Sequence, residues 1–404
     1  SYDNFVWVGT GPAVFNSDFE QNVVSADPST GVADDGNFVY SAAVDVQDSV
    51  IFGDGLIVSA TQPNFDGVPG FIIANQRPFM TPGGVGYWIS RSHPSDPEGW
   101  PVQGSVLYRY DGVSAPAAVT AVAVSGDRFT YDEASFTIAG ADGIDLDFHV
   151  SSGEENLILI VNAAGVSVSV YTFVVINGQA IHREGDPNGT GDDWDNFDLV
   201  RILDDGTYVM TGDTNGPTAS DEFIAVNGVI SIREGMTIDG VTIASGSSLR
   251  GIDLAEDGTL LHVWGGPSLE EVAFLGHVAD LAGTSRRLLG VGDMIELAGR
   301  GAVTIADLTG STAAAGGYAI SDASVFMNMD VTPAGGGATY EAIVRFPRGD
   351  GTPCSGDLSG DGVIGFDDLL LVLAAFGGSG PDGDADGDGS VDFGDLLLIL
   401  AAFG

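Results

Sequence analysis

The stretch ILDDGTYVMTGD, residues 202–213, places an Asp-Gly turn directly before a short run of apolar and β-branched residues. It is echoed by LAEDGTLLHVWGG at 254–266 and by VADDGNFVYSAAVD at 32–45. Asp-Gly favours a tight turn, and the aromatic and β-branched residues that follow favour a strand. Each copy therefore predicts a turn followed by a β-strand, and the recurrence indicates a repeated β-unit.

Three weaker copies extend this repeat along the chain: TPGGVGYWISR (81–91), VSSGEENLILIV (150–161) and YAISDASVFMNMDV (318–331). A second pair of strands follows each copy, in several units around an Asn-Gly or Asp-Gly pair such as Asn177-Gly178 and Asn227-Gly228. These pairs favour the two-residue hairpin turn. The pattern indicates a mainly β fold and resembles a β-propeller of about six blades, with seven blades as the alternative. A pair of β-sandwiches or a β-solenoid is the structural rival.

We expect three segments in the chain. Residues 1–346 form the β-propeller-like repeat domain, in which the N-terminal stretch FVWVGTGPAVFNSDF (5–19) supplies strands that close the ring. Residues 347–356 form a Gly/Pro linker that contains Cys354, the only cysteine. A lone thiol suits an intermolecular disulfide or a covalent link, with an inert thiol as the alternative. Residues 357–404 form a small α-helical domain.

Two near-copies of an Asp/Gly loop end the sequence: GDLSGDGVIGFDDLLLVLAAFG from Gly356 and GDADGDGSVDFGDLLLILAAFG from Gly383. Each places oxygen-bearing residues at alternate positions of a twelve-residue loop with Gly at the sixth, as calcium loops do. The predicted ligands are Asp357, Ser359, Asp361, Val363 and Asp368 in the first loop, and Asp384, Asp386, Asp388, Ser390, Asp392 and Asp395 in the second. We therefore expect two bound Ca²⁺ ions here, and further surface sites are open, for example in the acidic loop 184–196.

A loop followed by an apolar helix, with no helix before the loop, resembles a type I dockerin, which is built from paired half EF-hand repeats. The position of Cys354 just before the repeats is similar to the C-terminal dockerin-like anchors of planctomycete-type secreted proteins. The resemblance covers about residues 354–404 and implies a calcium-loaded docking domain.

Both C-terminal helices are apolar on nearly every side, which is unusual for a surface helix. Two such helices cover each other on one face only, and the remaining apolar face needs another partner. The residues expected at that interface are Leu369, Leu373, Phe376, Leu396, Leu400 and Phe403.

The charge and composition of the chain argue against some classes of binding partner. The 404 residues carry 13 basic and 57 acidic side chains, for a net charge of -44, which argues against nucleic acid and anionic membranes. No apolar run reaches the length of a membrane span, so the chain is not expected to be membrane-spanning. It begins at Ser1 without Met, which we interpret as a secreted, extracellular or cell-surface product.

We find no HExxH, GxSxG or P-loop motif, and an enzyme is not expected, although a glycosidase-type carboxylate pair stays open. The preferred function is an extracellular structural protein that assembles with other copies of itself through the calcium-loaded C-terminal domain. A surface scaffold protein is the other candidate partner. The alternatives are a surface-anchored glycan-binding module, for which Trp88, Trp100 and Trp194 are candidate stacking platforms, and a dockerin-tethered polysaccharide-active enzyme.

Overall fold

The computed structural model describes residues 23–32, 38–44, 47–52, 57–60, 62–93, 104–111, 119–140, 143–144, 147–164, 172–297, 300–308, 318–321, 324–348, 366–378, 383, 385 and 390–402. The chain divides into two compact units. The β unit comprises Ser1–Ile320 and Phe326–Val344, and the helical unit comprises Ser321–Val325 and Arg345–Gly404. The predicted ring-closing stretch 5–19, Cys354 and most of both calcium loops lie outside the described residues.

Four sheets of the β unit consist of four sequential antiparallel strands paired in chain order. The first contains β1 (Val23–Val32), β2 (Phe38–Val44), β3 (Gln47–Phe52) and β4 (Ile57–Ser59). The second contains β5 (Phe71–Met80), β6 (Gly86–His93), β7 (Gly104–Tyr110) and β8 (Val119–Val124). The fourth contains β15 (Trp194–Ile202), β16 (Tyr208–Thr214), β17 (Phe223–Val226) and β18 (Val229–Arg233), and the fifth contains β21 (Ser248–Leu254), β22 (Thr259–Gly266), β23 (Leu269–His277) and β24 (Arg286–Gly290).

The third sheet has the same four-strand order with a hairpin added at its edge. Its strands are β9 (Arg128–Tyr131), β10 (Ala134–Thr137), β11 (Phe148–Val150), β12 (Leu157–Asn162), β13 (Thr172–Ile176) and β14 (Gln179–Arg183). Strands β11 to β14 pair in chain order, and β9 joins β14 in parallel through Thr130 and Gln179. A separate two-stranded hairpin, β19 (Thr237–Ile238) and β20 (Val241–Thr242), lies between the fourth and fifth sheets in the sequence.

The last sheet of the β unit departs from this order. It contains β25 (Met294–Leu297), β26 (Gly301–Asp307), β27 (Tyr318–Ile320), β28 (Ser324–Pro333) and β29 (Tyr340–Pro347). Strand β26 pairs with β28 rather than with β27, and β29 also pairs with β28.

The chain is thus mainly β, in a β-propeller arrangement with five blades rather than the six or seven expected from the repeats. The sixth echo of the sequence repeat does form a strand, β28, but its pairing with β26 replaces the sequential order of a blade. Counting repeats overestimated the blades because a local repeat predicts a strand and not its partner.

Within the described residues, the local predictions of turns and strands are confirmed. The six echoes lead into β2, β6, β12, β16, β22 and β28. Asn177 and Gly178 turn β13 into β14 with φ values of 49° and 81°, and Asn227 and Gly228 repeat this between β17 and β18 with 48° and 77°. Positive φ at both central residues is the requirement of the tight hairpin turn, and Asn-Gly meets it at low cost.

Apolar layers between neighbouring sheets make the core. Phe52 of the first sheet packs on Trp88 of the second, with ring centroids 5.5 Å apart. The second and third sheets, the third and fourth, and the fourth and fifth share buried clusters in the same way. The second, third and fourth sheets are therefore each packed between the sheets next to them in the sequence, as in a propeller.

The helices are few and short. The β unit has a 3₁₀ turn at Val278–Asp280, followed by α1 (Leu281–Thr284). The helical unit contains α2 (Phe366–Ala375) and α3 (Phe393–Ala402). In the described part of the chain, none of these helices has the length and apolar character needed to cross a membrane.

Candidate functional site

The helical unit encloses a small apolar core of its own. Val372 of α2 and Ile399 of α3 are fully buried, and Val391 and Ala385 close the core from the segment between the helices. Val391 also joins the end of α2 through backbone hydrogen bonds: Gly377 N donates to its carbonyl at 2.8 Å, and its own N–H donates to Gly378 O at 3.1 Å. The two helices are thereby held as one unit with the segment that precedes α3.

Two aspartates of the predicted calcium loops, Asp368 and Asp395, are fully buried in the helical unit. Asp395 Oδ1 accepts a hydrogen bond from Ala385 N at 2.6 Å, and its Oδ2 accepts one from Asp392 N at 2.7 Å. One carboxylate therefore ties the incoming loop to the first turn of α3.

Of the other predicted calcium ligands, two lie within the described residues. Ser390 and Asp392 are exposed, and Asp392 Oδ1 accepts a hydrogen bond from Gly394 N at the start of α3. The ligands outside the described residues are Asp357, Ser359, Asp361, Val363, Asp384, Asp386 and Asp388. Within the described residues, no group of three or more His, Cys, Asp or Glu is arranged to hold a metal ion. The two-ion prediction therefore stays a prediction.

The predicted interface residues of the helical unit divide into two groups. Leu369 and Leu396 pack against the unit's own core and are only partly buried there, so their role at an interface stays a prediction. Leu373, Phe376 and Leu400 are about half exposed, as an interface requires. Phe403 lies outside the described residues.

Other apolar side chains of the two helices are also exposed, and the sequence analysis did not single them out: Phe366, Leu370, Leu371, Phe393 and Leu397. Phe366 and Phe393 occupy equivalent positions of the two repeats, and so do Leu370 and Leu397. The internal repeat therefore relates four of these five side chains, whereas Leu371 aligns with Leu398, which packs against the core. We call the exposed side chains of α2 and α3, the three predicted and these five, the apolar face.

The β unit contains a concentration of acidic side chains at one end of the fourth sheet. We call Asp198, Asp213, Asp221, Glu222 and Glu234 the carboxylate cluster. Asn196 and Asp213 are partners across β15 and β16. Glu222 and Glu234 continue the line across the sheet, since Glu234 N donates to Glu222 O at 3.1 Å.

Side-chain contacts link the members of the carboxylate cluster to one another. Asn196 Nδ2 donates to Asp198 Oδ1 at 2.8 Å and also contacts Asp213. The carboxyl groups of Asp213 and Glu222 lie within hydrogen-bonding distance of each other, and so do those of Asp221 and Glu234. In each pair two negative charges would repel, and a shared proton or a bound cation would relieve that repulsion.

Burial and like charge alter the titration of the cluster. Burial raises the pKa of Glu222 to about 8, against a hydrogen bond from Leu249 N, and the carboxylates of Asp213 and Asp198 raise it further. Burial likewise raises the pKa of Asp213, with Asp221 adding to it, and that of Glu234, where Asp221 again contributes. The sequence analysis missed this cluster because it arises from strand pairing.

A chain of ion pairs runs across successive sheets of the β unit. Asp147 Oδ1 accepts from Arg77 Nη1 and Asp147 Oδ2 from Arg201 Nη1, both at 3.0 Å. Arg201 Nε donates in turn to Asp253 Oδ1 at 3.3 Å, and Asp253 Oδ2 accepts from Ile320 N at 2.8 Å. The charged residues come from β5, the segment before β11, β15 and β21, so the ion pairs connect the second, third, fourth and fifth sheets at or next to their first strands, and the hydrogen bond from Ile320 N adds β27 of the last sheet.

The other side chains considered for catalysis or sugar binding are buried in the fold. His262 is fully buried between Trp264 Nε1, which donates to its Nδ1 at 3.1 Å, and Ser285 Oγ at 3.0 Å. Burial lowers its pKa to about 3, so it is a neutral part of the fold. Trp88 and Trp194, the described members of the proposed stacking platforms, are buried and do not present a ring to a sugar.

The acidic loop 184–196 does not gather its carboxylates around one point. Asp186 binds Arg183 and Tyr131, Asp192 lies 3.5 Å from Arg233 Nη2, and Asp193 accepts from the side chain of Asn215 at 3.0 Å. A further calcium site in this loop is therefore not supported.

Comparison with known proteins gives similarity in structure only. No family model matches the chain, and no curated protein matches it. TolB from Acinetobacter baumannii is 12% identical, with a TM-score of 0.34, over 74% of this chain and 59% of that one, less than two thirds of its length. Virginiamycin B lyase from Staphylococcus aureus is 9% identical, with a TM-score of 0.33, over 81% of this chain and 88% of that one. A protein of unknown function from Bacteroides thetaiotaomicron is 13% identical, with a TM-score of 0.37, over 84% and 72%. Similarity at this level assigns no activity.

Proposed function

We propose that the chain is an extracellular structural protein that assembles by docking its calcium-loaded, dockerin-like helical unit on a neighbouring copy. The observation that carries the proposal is the apolar face, where eight large apolar side chains in or next to two short helices are between 39% and 64% exposed. Burying one Leu or Phe contributes roughly 1.5–3 kcal/mol. Several together offset the entropy lost when two subunits associate.

Calcium enters the proposal through the buried aspartates. From Gly349 to Gly404 the sequence has eleven Asp and no Lys, Arg or His. Asp368 and Asp395 are nonetheless fully buried, and a buried carboxylate is costly without an opposite charge. A Ca²⁺ ion in each loop supplies that charge to a segment that has none of its own.

The same ions favour association. A chain with a net charge of -44 repels its own copies. Bound Ca²⁺ lowers that charge at the surface where the subunits meet. Assembly is therefore expected to need calcium twice, once to fold the helical unit and once to reduce repulsion.

Sedimentation of the full chain in millimolar calcium and in chelator tests the proposal. We expect oligomers in calcium and monomers in chelator. Leu373→Ser combined with Leu400→Ser removes two exposed members of the apolar face and should abolish the oligomers. Val229→Ser is the matched control, since Val229 is 67% exposed on the β unit. Full chain that stays monomeric in millimolar calcium contradicts assembly with itself and favours docking on a surface scaffold protein.

A further inference from the structure

The carboxylate cluster of the fourth sheet is electrostatically unfavourable. Like charges directly opposite each other across a sheet destabilise it. Asp213 and Glu222 face each other between β16 and β17, one step beyond the pair Gly212 and Phe223. Stability alone therefore does not explain why acids occupy this row.

A second observation points to a missing positive group. Glu234 is only 3% exposed, and its Oε2 has no hydrogen-bond partner although it is buried. Its carboxyl group lies against that of Asp221, so the unsatisfied oxygen belongs to the cluster. A buried carboxyl oxygen that has left water without gaining a partner destabilises the fold. The site therefore has one acceptor ready for a cation.

The arginines nearest to the cluster are committed to other groups. Arg233 Nε donates to Ser220 O at 2.6 Å, and its Nη2 is directed to Asp192 and Thr214. Arg77, whose charge lowers the pKa of Asp198, is bound to Asp147. In the described residues no ion pair joins an arginine to Asp213, Asp221, Glu222 or Glu234.

We propose that the carboxylate cluster binds a small cation, either a divalent metal ion or the ammonium group of a ligand. No three described carboxylates already converge as the ligands of one metal ion, so the cation bridges the pair Asp213 and Glu222 to the pair Asp221 and Glu234. Asp198 and Asn196 complete the rim. All of these except Glu234 are partly exposed, which leaves the cation a path from solvent.

The experiment measures thermal unfolding of the β unit in the full chain at about pH 9.5, above the pKa of about 8 of Glu222, so that few protons bridge the carboxyl pairs. Calcium chloride, magnesium chloride and methylammonium chloride are compared with sodium chloride at equal ionic strength. The chain also carries Asp368→Asn and Asp395→Asn, which disable the calcium sites expected in the helical unit. We expect one of the three cations to raise the melting temperature beyond the sodium chloride control. A response to a metal chloride identifies a metal site, and a response to methylammonium identifies an ammonium site.

Asp213→Asn and Glu222→Gln preserve side-chain shape and relieve repulsion, so both variants are expected to fold. Together they should weaken the apparent affinity for the responding cation by about tenfold or more. Glu270→Gln, at an exposed site of β23, should leave it unchanged. The proposal is overturned if no cation acts beyond the sodium chloride control, or if the double variant responds as the parent does.

Discussion

At the scale of single residues, Glu222 makes stability depend on pH. Burial and neighbouring carboxylates hold its pKa at about 8 in the folded chain, well above its ordinary value. A carboxyl group whose pKa is raised by folding stabilises the fold fully below its unfolded pKa, and this stability is lost as pH rises through the folded value. Without bound cations, the melting temperature of the β unit should therefore fall between about pH 5 and pH 8.

Glu222→Gln should remove much of that fall, because the amide has no proton to lose and keeps the hydrogen bond from Leu249 N. Melting curves at pH 5 and pH 8.5, with chelator present, give the comparison. The variant should melt higher than the parent at pH 8.5 and near it at pH 5. A parent whose melting temperature is flat across this range would contradict the assignment.

At the scale of elements, Arg201 joins the strands of three sheets through Asp147 and Asp253. Its side chain is 18% exposed, and Asp147 is buried. Arg201→Leu leaves both carboxylates without this partner and should cost about 3–5 kcal/mol, as removal of one member of a buried ion pair does. Urea unfolding of the β unit measures this loss of unfolding free energy. Arg300→Gln, a substitution of an exposed arginine, is the control. A loss below about 1 kcal/mol would show that the ion pairs do not hold the sheets together.

The two helices of the helical unit distinguish core from surface at adjacent positions. Ile399 is fully buried and Leu400 is 52% exposed. Ile399→Ala should cost about 2–5 kcal/mol, because it leaves a cavity. Leu400→Ala should change the stability of the dilute, monomeric chain by no more than about 0.5 kcal/mol. Hydrogen exchange of the amides in α2 and α3 reports both values, and equal effects would mean that the helices pack differently.

Local chemistry explains which elements the sequence predicts. Asn-Gly and Asp-Gly turns and the strands after them depend on residues a few positions apart, so they were predicted correctly. The pairing of β26 with β28 depends on residues about 25 positions apart, and no local pattern specifies it. The carboxylate cluster was missed for the same reason, since Asp198 and Glu234 meet only through the pairing of four strands. An isolated acid in a loop sequence is ordinarily a turn residue, so no local pattern marks these acids as one site.

At the scale of the whole molecule, the two units should unfold separately. The β unit is held by apolar layers between sheets, whereas the core of the helical unit is small and its loops are dense in carboxylates. Chelation of calcium should therefore melt α2 and α3 at low temperature and leave the strands intact. Calorimetry with and without chelator checks this prediction. One unchanged transition in both conditions would count against calcium in the helical unit.

The sequential strand order of the first five sheets also affects how the chain is made. Each of these sheets closes on contacts between neighbouring strands, which keeps contact order low and favours rapid formation. During synthesis, a sheet can be completed soon after its fourth strand leaves the ribosome. The last sheet lacks this advantage, because β26 must wait for β28. The slow step of folding is thus expected near the C-terminal end of the β unit, where the edge of β26 opposite β25 stays open to aggregation until β28 pairs with it.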